Sequence, residues 1–253
     1  MKITTTSLLL SLVILSGWHW AARTAGQEVN EQINKTITLA PGSDVSVRGI
    51  NGPVTVETGE GDQAEIDIKI RAASREAIER KPLSVENTPN SLTIRTVENK
   101  EGRRGDHEWV RHEVHLKLPR NVSMNISGVN GAVDVGPIEG GIVINGINGR
   151  VDVAQAGTAT KLSGINGGIK ISLARLGEGG LHVSGINGGV EIGFPTSIDA
   201  DIDVTGVNGS VDSDLPITLL GEMKRGQLKG TIGAGGKLIS ISGINGGVKL
   251  RRN

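Results

Sequence analysis

Five aspartates in the second half of the sequence have a spacing that could form a catalytic or metal-binding site. Asp199, Asp201 and Asp203 alternate with apolar residues, and Asp212 and Asp214 follow one corner later. Two carboxylates about 5–9 Å apart can hydrolyse a glycosidic bond, and clustered carboxylates can bind calcium. The Gly- and Asp-rich nonapeptide of calcium-binding β-rolls is absent. A charged outer strand face is therefore the leading interpretation of this acidic patch, and a polysaccharide-active enzyme that uses it is the alternative.

A second cluster is rich in histidine and runs from Asp106 to His115. A zinc-protease helix needs two histidines four residues apart with a glutamate between them, whereas His107 and His112 are five apart. The end of the cluster alternates as a strand does, which places Glu113 and His115 on one face and His112 on the other. The pattern favours a polar strand face, and we predict no metal site and no cofactor.

Nucleophilic catalysis and phosphate binding are not indicated either. The chain has no cysteine, no Gly-x-Ser-x-Gly elbow between a strand and a helix, and no Gly-Lys-Ser/Thr phosphate loop. Several hydroxyl residues instead return at one point of a repeat, where we predict that they form hydrogen bonds at a corner. They are Ser127, Ser163, Ser184, Thr205 and Ser242.

The repeat itself is a small residue, then Gly-Ile/Val-Asn-Gly, then an alternating apolar run. From the second copy onward the steps are 18, 18, 21, 21 and 37 residues, and Leu228–Ile232 aligns as a degenerate copy inside the longest step. A fixed period near 20 residues is typical of stacked repeat architectures. The predicted corners are Asn51, Asn130, Asn148, Asn166, Asn187, Asn208 and Asn245.

Each repeat is predicted to be a strand, an Asn-Gly corner and a second strand. The apolar residues on both sides of the corner face inward, and neighbouring units stack about 4.8 Å apart to bury them. Glycine permits the bend, and stacked asparagines can hydrogen-bond as a ladder. The outward residue of the second strand should form a mixed-charge ladder, in which Lys170 lies between Asp152 and Glu191.

The segment before residue 121 is less regular. Residues 27–35 look like a polar lead-in, and Ala64–Arg71 has the strict alternation of a half-buried strand. Ser74–Arg80 predicts one short helix with a serine cap and Pro82 behind it. The charged segment Glu98–Asp106 is predicted to be an exposed loop.

The first 26 residues predict a cleaved signal peptide, with a short apolar stretch from Leu8 to Ser16 and small residues before the cleavage point. Its removal leaves 25 basic and 27 acidic residues, which argues against nucleic acid or an anionic membrane as the partner. The only aromatic residues left are Trp109 and Phe194, so the aromatic platforms common in sugar sites and single-strand nucleic-acid sites are nearly absent. No integral membrane span is expected after cleavage.

Two features of the sequence resemble a known family. One is the repeat phrase, in the copies that end at Val135, Ile192 and Leu250, and the other is the strand, proline turn and strand of Glu113–Ile126. They resemble a bacterial family of putative adhesins of unknown function, built from strand repeats on a Gly-Ile-Asn motif, over roughly residues 36–253. The resemblance implies an exported β-solenoid that faces the periplasm or the cell surface and has no established enzymatic activity. It brings no catalytic residues.

We therefore predict an all-β fold, a parallel β-solenoid of units of 18–21 residues whose β-rich N-terminal segment carries one short helix. Residues 1–26 are the signal peptide, 27–120 the N-terminal segment continuous with the solenoid, and 121–253 the regular repeat. The predicted function is a non-enzymatic binding or scaffold module of the bacterial envelope, in the periplasm, on the surface or secreted. An envelope protein or a polysaccharide is the expected partner, and the sequence leaves the oligomeric state open.

Overall fold

The computed structural model describes residues 28–97, 109–221 and 226–253. The predicted signal peptide, the predicted loop Glu98–Asp106 and His107 lie outside these ranges. Within them the chain is all-β with two large sheets and one short helix, which confirms the predicted class. None of the described residues forms a helix long and apolar enough to cross a membrane.

The first sheet has ten strands. In spatial order they are β1 (Val29–Thr38), β4 (Gln63–Ala72), β7 (Val110–Pro119), β3 (Val54–Gly59), β9 (Val133–Val135), β11 (Val151–Ala156), β13 (Ile169–Leu173), β15 (Val190–Phe194), β21 (Val248–Arg252) and β17 (Val211–Ser213). Every strand that follows an Asn-Gly corner belongs to this sheet.

The second sheet has eleven strands and contains every strand that precedes a corner. In spatial order they are β18 (Ile217–Leu219), β19 (Leu228–Ile232), β16 (Ala200–Val207), β20 (Lys237–Ile244), β14 (Leu181–Ile186), β12 (Thr158–Ile165), β10 (Gly141–Ile147), β8 (Ser123–Val129), β2 (Asp44–Arg48), β6 (Ser91–Thr96) and β5 (Leu83–Thr88). The chain crosses from this sheet to the first at each corner. We call one such strand–corner–strand stretch a unit and name it by its asparagine.

Neighbouring units pair in parallel and in the predicted register. Asp152 lies opposite Lys170, and Lys170 lies opposite Glu191, as the repeat phase requires. The alternate residues Ile186, Val190 and Ile192 are at most 1% exposed and join one continuous apolar core. Full burial of such a side chain contributes about 1.5–3 kcal/mol, which no unit could gain without its neighbours.

The prediction of an entirely parallel solenoid was wrong at the ends of the sheets. β1, β4 and β7 pair antiparallel, as do β5 with β6 and β19 with both β16 and β18. Residues 29–35 of the predicted polar lead-in belong to β1, whose Val29 and Ile33 pack against the core. Polar residues between the apolar ones hid this alternation in the sequence.

The helix prediction is confirmed. The helix α1 spans Arg75–Arg80, and the Ser74 hydroxyl accepts a hydrogen bond from the Ala77 N–H at 3.2 Å. A serine cap of this kind contributes about 1 kcal/mol. Ala77 and Ile78 are buried, so α1 joins the core beside β4.

The last two units do not stack in chain order. The Asn245 unit lies between the Asn187 and Asn208 units, because β20 pairs with β14 and β16, and β21 pairs with β15 and β17. The predicted degenerate copy Leu228–Ile232 is instead β19, an antiparallel strand outside β16. Gln227 stands where the true corners have a glycine at φ near +60°, so this segment lacks the residue that the bend requires.

Candidate functional site

The seven predicted corner asparagines form one column along the edge where the two sheets meet. In spatial order the column runs through the Asn51, Asn130, Asn148, Asn166, Asn187, Asn245 and Asn208 units. The Nδ2 of each asparagine donates to the Oδ1 of the preceding one at 2.8 to 3.2 Å. The backbone N–H groups continue the same ladder, for example from Asn187 to the Ile165 carbonyl at 2.8 Å. The column is thus a directional chain of amides with solvent on its outer side.

Two glycines at each corner are required by the backbone. In the Asn187 unit, Gly185 has φ +62°, a left-handed conformation that side chains disfavour. A Cβ on Gly188 would lie 2.4 Å from the Gly167 carbonyl oxygen of the neighbouring unit. Units can therefore approach closely only where this position is glycine.

His112 closes the column beyond Asn51. Its Nδ1 accepts the Asn51 backbone N–H at 3.2 Å, and the Asn51 Nδ2 donates to the Val110 carbonyl at 2.5 Å. An accepting Nδ1 leaves the proton of the neutral ring on Nε2, and no described residue accepts from that atom. Burial of the imidazole, which is 2% exposed, lowers the pKa of His112 to about 4.

In the described part of the histidine-rich stretch, the two histidines lie on opposite sides of β7. His112 points into the core and His115 points outward, where its Nε2 lies 3.2 Å from Glu57. No group of three or more His, Asp and Glu side chains among the described residues could hold a metal ion. The hydrogen bond predicted for Ser163 at its corner is not formed, because its buried Oγ has no hydrogen-bond partner in the described part of the chain.

The outer face of the first sheet carries the predicted charge ladder. In spatial order its residues are Asp134, Asp152, Lys170, Glu191, Lys249 and Asp212. Lys170 lies 3.7 Å from Glu191, and Arg150 lies 2.8 Å from Asp134. These side chains are exposed, so each pair contributes at most about 1 kcal/mol.

The order of the last two units favours the alternation of charge in this part of the ladder. Chain order would place the carboxylates of Glu191 and Asp212 side by side, and like charges directly opposite each other destabilise a sheet. The observed order inserts Lys249 between them. Leu250 and Ser213 occupy equivalent inward positions of their units. The observed order buries Leu250 fully and leaves Ser213 at the edge of the sheet, where an inward polar side chain has the smallest desolvation penalty.

Between the asparagine column and the ladder lies a shallow groove of about 350 Å³. Its floor is the stacked glycines Gly168, Gly189 and Gly247, which lie at the position that Arg150 and Ser210 occupy in other units. A Cβ on any of the three glycines would make only ordinary contacts at 3.5 to 3.8 Å. The backbone does not require these glycines, and the absence of side chains there leaves the face open along the groove.

A second groove of about 530 Å³ lies on the same face above β1, β4 and β7. Its walls include Lys69, Arg71, Arg111 and Glu113, and Arg71 pairs with Glu28 at 2.6 Å. That hydrogen bond raises the pKa of Arg71 above its ordinary value. The groove was not predicted, because a polar lead-in was expected where β1 lies, although the spacing of its apolar residues could have indicated a strand.

The acidic patch predicted from sequence is divided between the two sheets. Asp199 precedes β16 of the second sheet and Asp201 and Asp203 lie on it, while Asp212 and Asp214 belong to β17 of the first sheet and the residue after it. The Asp203 carboxylate lies 3.5 Å from the Lys229 Nζ, and that of Asp214 lies 2.8 Å from Arg251. The structure therefore does not bring the five carboxylates together.

Asp199 has a clear structural partner. Its Oδ1 accepts the Ala234 N–H at 2.8 Å, within the turn that carries the chain from β19 across the end of β16 to β20. Asp212 accepts a hydrogen bond from the Ser210 hydroxyl at 3.0 Å. A groove of about 500 Å³ beside Asp203 is lined by that single carboxylate, with Lys229 and Thr205. These contacts give the carboxylates positioning and surface roles.

Comparison of the sequence with protein-family models and with curated proteins finds no match. Three solved structures are similar over most of the chain. A putative cell adhesion protein from Clostridium sporogenes is 13% identical with a TM-score of 0.40, and covers 88% of this chain and 100% of its own. A putative adhesin from Bacteroides fragilis is 11% identical (TM-score 0.37; 87% and 97% covered). A putative lipid binding protein from Parabacteroides distasonis is 10% identical (TM-score 0.27; 90% and 98% covered). Similarity at this level carries no conclusion about the role of this chain.

Proposed function

We propose that the chain is an exported, non-enzymatic β-solenoid that serves as a binding or scaffold module of the bacterial envelope. Within the repeat, the two strands of each unit belong to different sheets, and each strand pairs in parallel with its equivalents in the neighbouring units, which supports the solenoid. The predicted signal peptide supports export to the periplasm or the cell surface. Asp212 and Asp214 lie away from the strand that carries Asp201 and Asp203. Every carboxylate of the patch except Asp201 has a hydrogen-bond or ion-pair partner among the described residues, and no observation favours the polysaccharide-active alternative.

The outer face of the first sheet is the proposed binding surface. The observation that carries this assignment is the groove over Gly168, Gly189 and Gly247. The backbone does not require these three glycines, and charged side chains line the groove. Its walls repeat at the unit spacing of about 4.8 Å. Such a surface suits a long polar polymer with its own repeat, and envelope polysaccharide is the ligand class that we propose.

The test compares groove-filling variants with a matched control. Gly189→Arg fills the groove with a side chain that Arg150 shows to be compatible with this corner position, and Ala132→Arg adds the same side chain in a unit outside the groove. Purified mature protein is assayed for co-sedimentation with peptidoglycan, with envelope polysaccharide and with whole cells. We expect binding that Gly189→Arg weakens at least tenfold and Ala132→Arg leaves unchanged. Absence of binding to all three would refute the adhesive role.

Localisation is tested separately with a tag at the C-terminus. Fractionation into cytoplasm, periplasm, outer membrane and medium should place the protein outside the cytoplasm, with residues 1–26 removed. A full-length cytoplasmic product would refute export and with it the envelope role.

A further inference from the structure

The two sheets end differently beyond the Asn208 unit. In the second sheet β16 is covered by β19 and β18, whereas the first sheet ends at β17. No described strand pairs with the far side of β17. This open edge, defined by Val211, Asp212 and Ser213, is distinct from the outer face proposed as the binding surface. Its free backbone groups do not take part in that surface, although Asp212 is also the last residue of the charge ladder on the outer face.

The open edge has unused backbone hydrogen-bonding groups. On its inner side Ser210 accepts the Val248 N–H at 2.8 Å, and the Asp214 N–H donates to the Leu250 carbonyl at 2.9 Å. Peptide groups of successive strand residues point to opposite sides, so Val211 and Ser213 direct theirs outward. An edge of this kind is a template for a further strand.

The asparagine column ends at the same place. The Nδ2 of Asn208 donates to the Oδ1 of Asn245, and no described residue donates to the Oδ1 of Asn208. Each earlier Oδ1 in the column accepts from the next unit. The final acceptor therefore faces the position that a further unit would occupy.

Apolar side chains also remain uncovered at this end. Leu219 is 44% exposed and Leu220 is 57% exposed, and they are among the four large exposed apolar residues of the described chain. Val211 and Ile217 are half-buried, whereas the equivalent inward residue Val248 is fully buried. A strand on β17 would cover the end of the core and gain apolar contact as well as hydrogen bonds.

Charge selects the kind of strand. Asp212 is the last rung of the Glu191–Lys249–Asp212 series, so the next rung should be a cation. Antiparallel pairing of two β17 strands would place Asp212 opposite Asp212, which is unfavourable and disfavours a second copy. On its inner side β17 already pairs with Val248–Leu250, where a lysine lies between two apolar residues.

We propose that the open edge of β17 binds an extended segment of a partner protein in which a Lys or Arg lies between two apolar residues. The segment adds one strand to the first sheet. Its basic residue lies opposite Asp212, and its apolar residues cover the half-buried Val211. Main-chain hydrogen bonds provide affinity and the charge provides selectivity, as in other strand-addition complexes.

The probe is a synthetic peptide with the sequence of residues 244–253, titrated against the full mature chain by fluorescence anisotropy. A peptide with the Lys249→Glu change should bind at least fivefold more weakly. The Asp212→Lys protein should reverse this preference. N-methylation of alternate peptide nitrogens should abolish binding if the peptide pairs as a strand.

A control separates addition at the edge from replacement of β21 by the peptide. Glu191→Lys changes a neighbour of β21 and leaves the open edge intact, so edge addition predicts unchanged affinity. No binding of the unmodified peptide, equal binding of the N-methylated peptide, or an effect of Glu191→Lys equal to that of Asp212→Lys would overturn the proposal. So would self-association of the chain, measured by sedimentation, that Leu219→Lys abolishes, because the occupant would then be a second copy.

Discussion

Substitution of one corner glycine should destabilise the protein strongly, while substitution of its neighbour should not. In Gly188→Ala the new Cβ would lie 2.4 Å from the Gly167 oxygen, 2.5 Å from its carbon and 2.8 Å from the Gly168 nitrogen. All three are backbone atoms of the neighbouring corner, which is held between two paired strands and cannot move alone. Overpacking costs about 1–3 kcal/mol and backbone strain of this kind about 1–3 kcal/mol, so we expect a total loss of roughly 2–6 kcal/mol.

Gly189→Ala is the matched control. Its Cβ would meet nothing closer than the Gly247 oxygen at 3.8 Å, and Gly→Ala at a compatible position stabilises by about 0.4–1 kcal/mol through the unfolded state. Both variants are measured by urea unfolding against the parent protein, with the slope of the transition checked for constancy. Equal midpoints for the two variants, or a Gly188→Ala midpoint that matches the parent, would refute the account of the corner.

Three further predictions concern the column and the ladder. Because the pKa of His112 is about 4 in the folded chain and about 6.5 when unfolded, the unfolded state binds more protons between these values. Stability should therefore fall on the order of 2–3 kcal/mol as the pH drops through this window, and His112→Asn should flatten the profile measured by urea unfolding. Asn166→Ala removes two amide hydrogen bonds and should lower the free energy of unfolding by about 1–2 kcal/mol in the same assay. Asn208→Ala at the end of the column should lower it less, and equal losses would contradict the ladder. Lys249→Glu adds a carboxylate between Glu191 and Asp212 and should cost about 1 kcal/mol, a loss that 1 M NaCl largely removes in thermal melts and that a salt-independent result would contradict.

The regular spacing of the repeats made much of the fold predictable from the sequence. The spacing of the asparagines placed Lys170 between Asp152 and Glu191 because parallel units of nearly equal length must align their corners. The antiparallel strand β1 was missed because Lys35 and its polar neighbours interrupt the apolar alternation. The spacing of the repeats could not predict the stacking order of the last two units. Their corner sequences are nearly identical, so they specify where a residue lies within its unit but not which unit lies next to it.

The candidate site was predicted only in part. The position of the asparagines within the repeat could be read from the glycines beside them, because the conformational requirements of those glycines are local. The five aspartates were grouped because they are close in sequence, yet the corner at Asn208 sends Asp203 and Asp212 to different sheets. The glycine groove went unnoticed, because Gly168 and Gly189 look like the corner glycines until the structure shows which of them the backbone needs.

The insertion of the Asn245 unit sets an order of events during synthesis. β16 and β17 leave the ribosome before β20 and β21, yet they need those later strands as their partners. Until residue 252 has been made, the Asn208 unit has no native neighbour on its inner side, and its apolar residues stay accessible to chaperones and proteases. A chain interrupted before Lys237 would lack the Asn245 unit, and the Asn208 unit would then have no inner neighbour. Native structure at this end therefore requires the complete synthesis of both units.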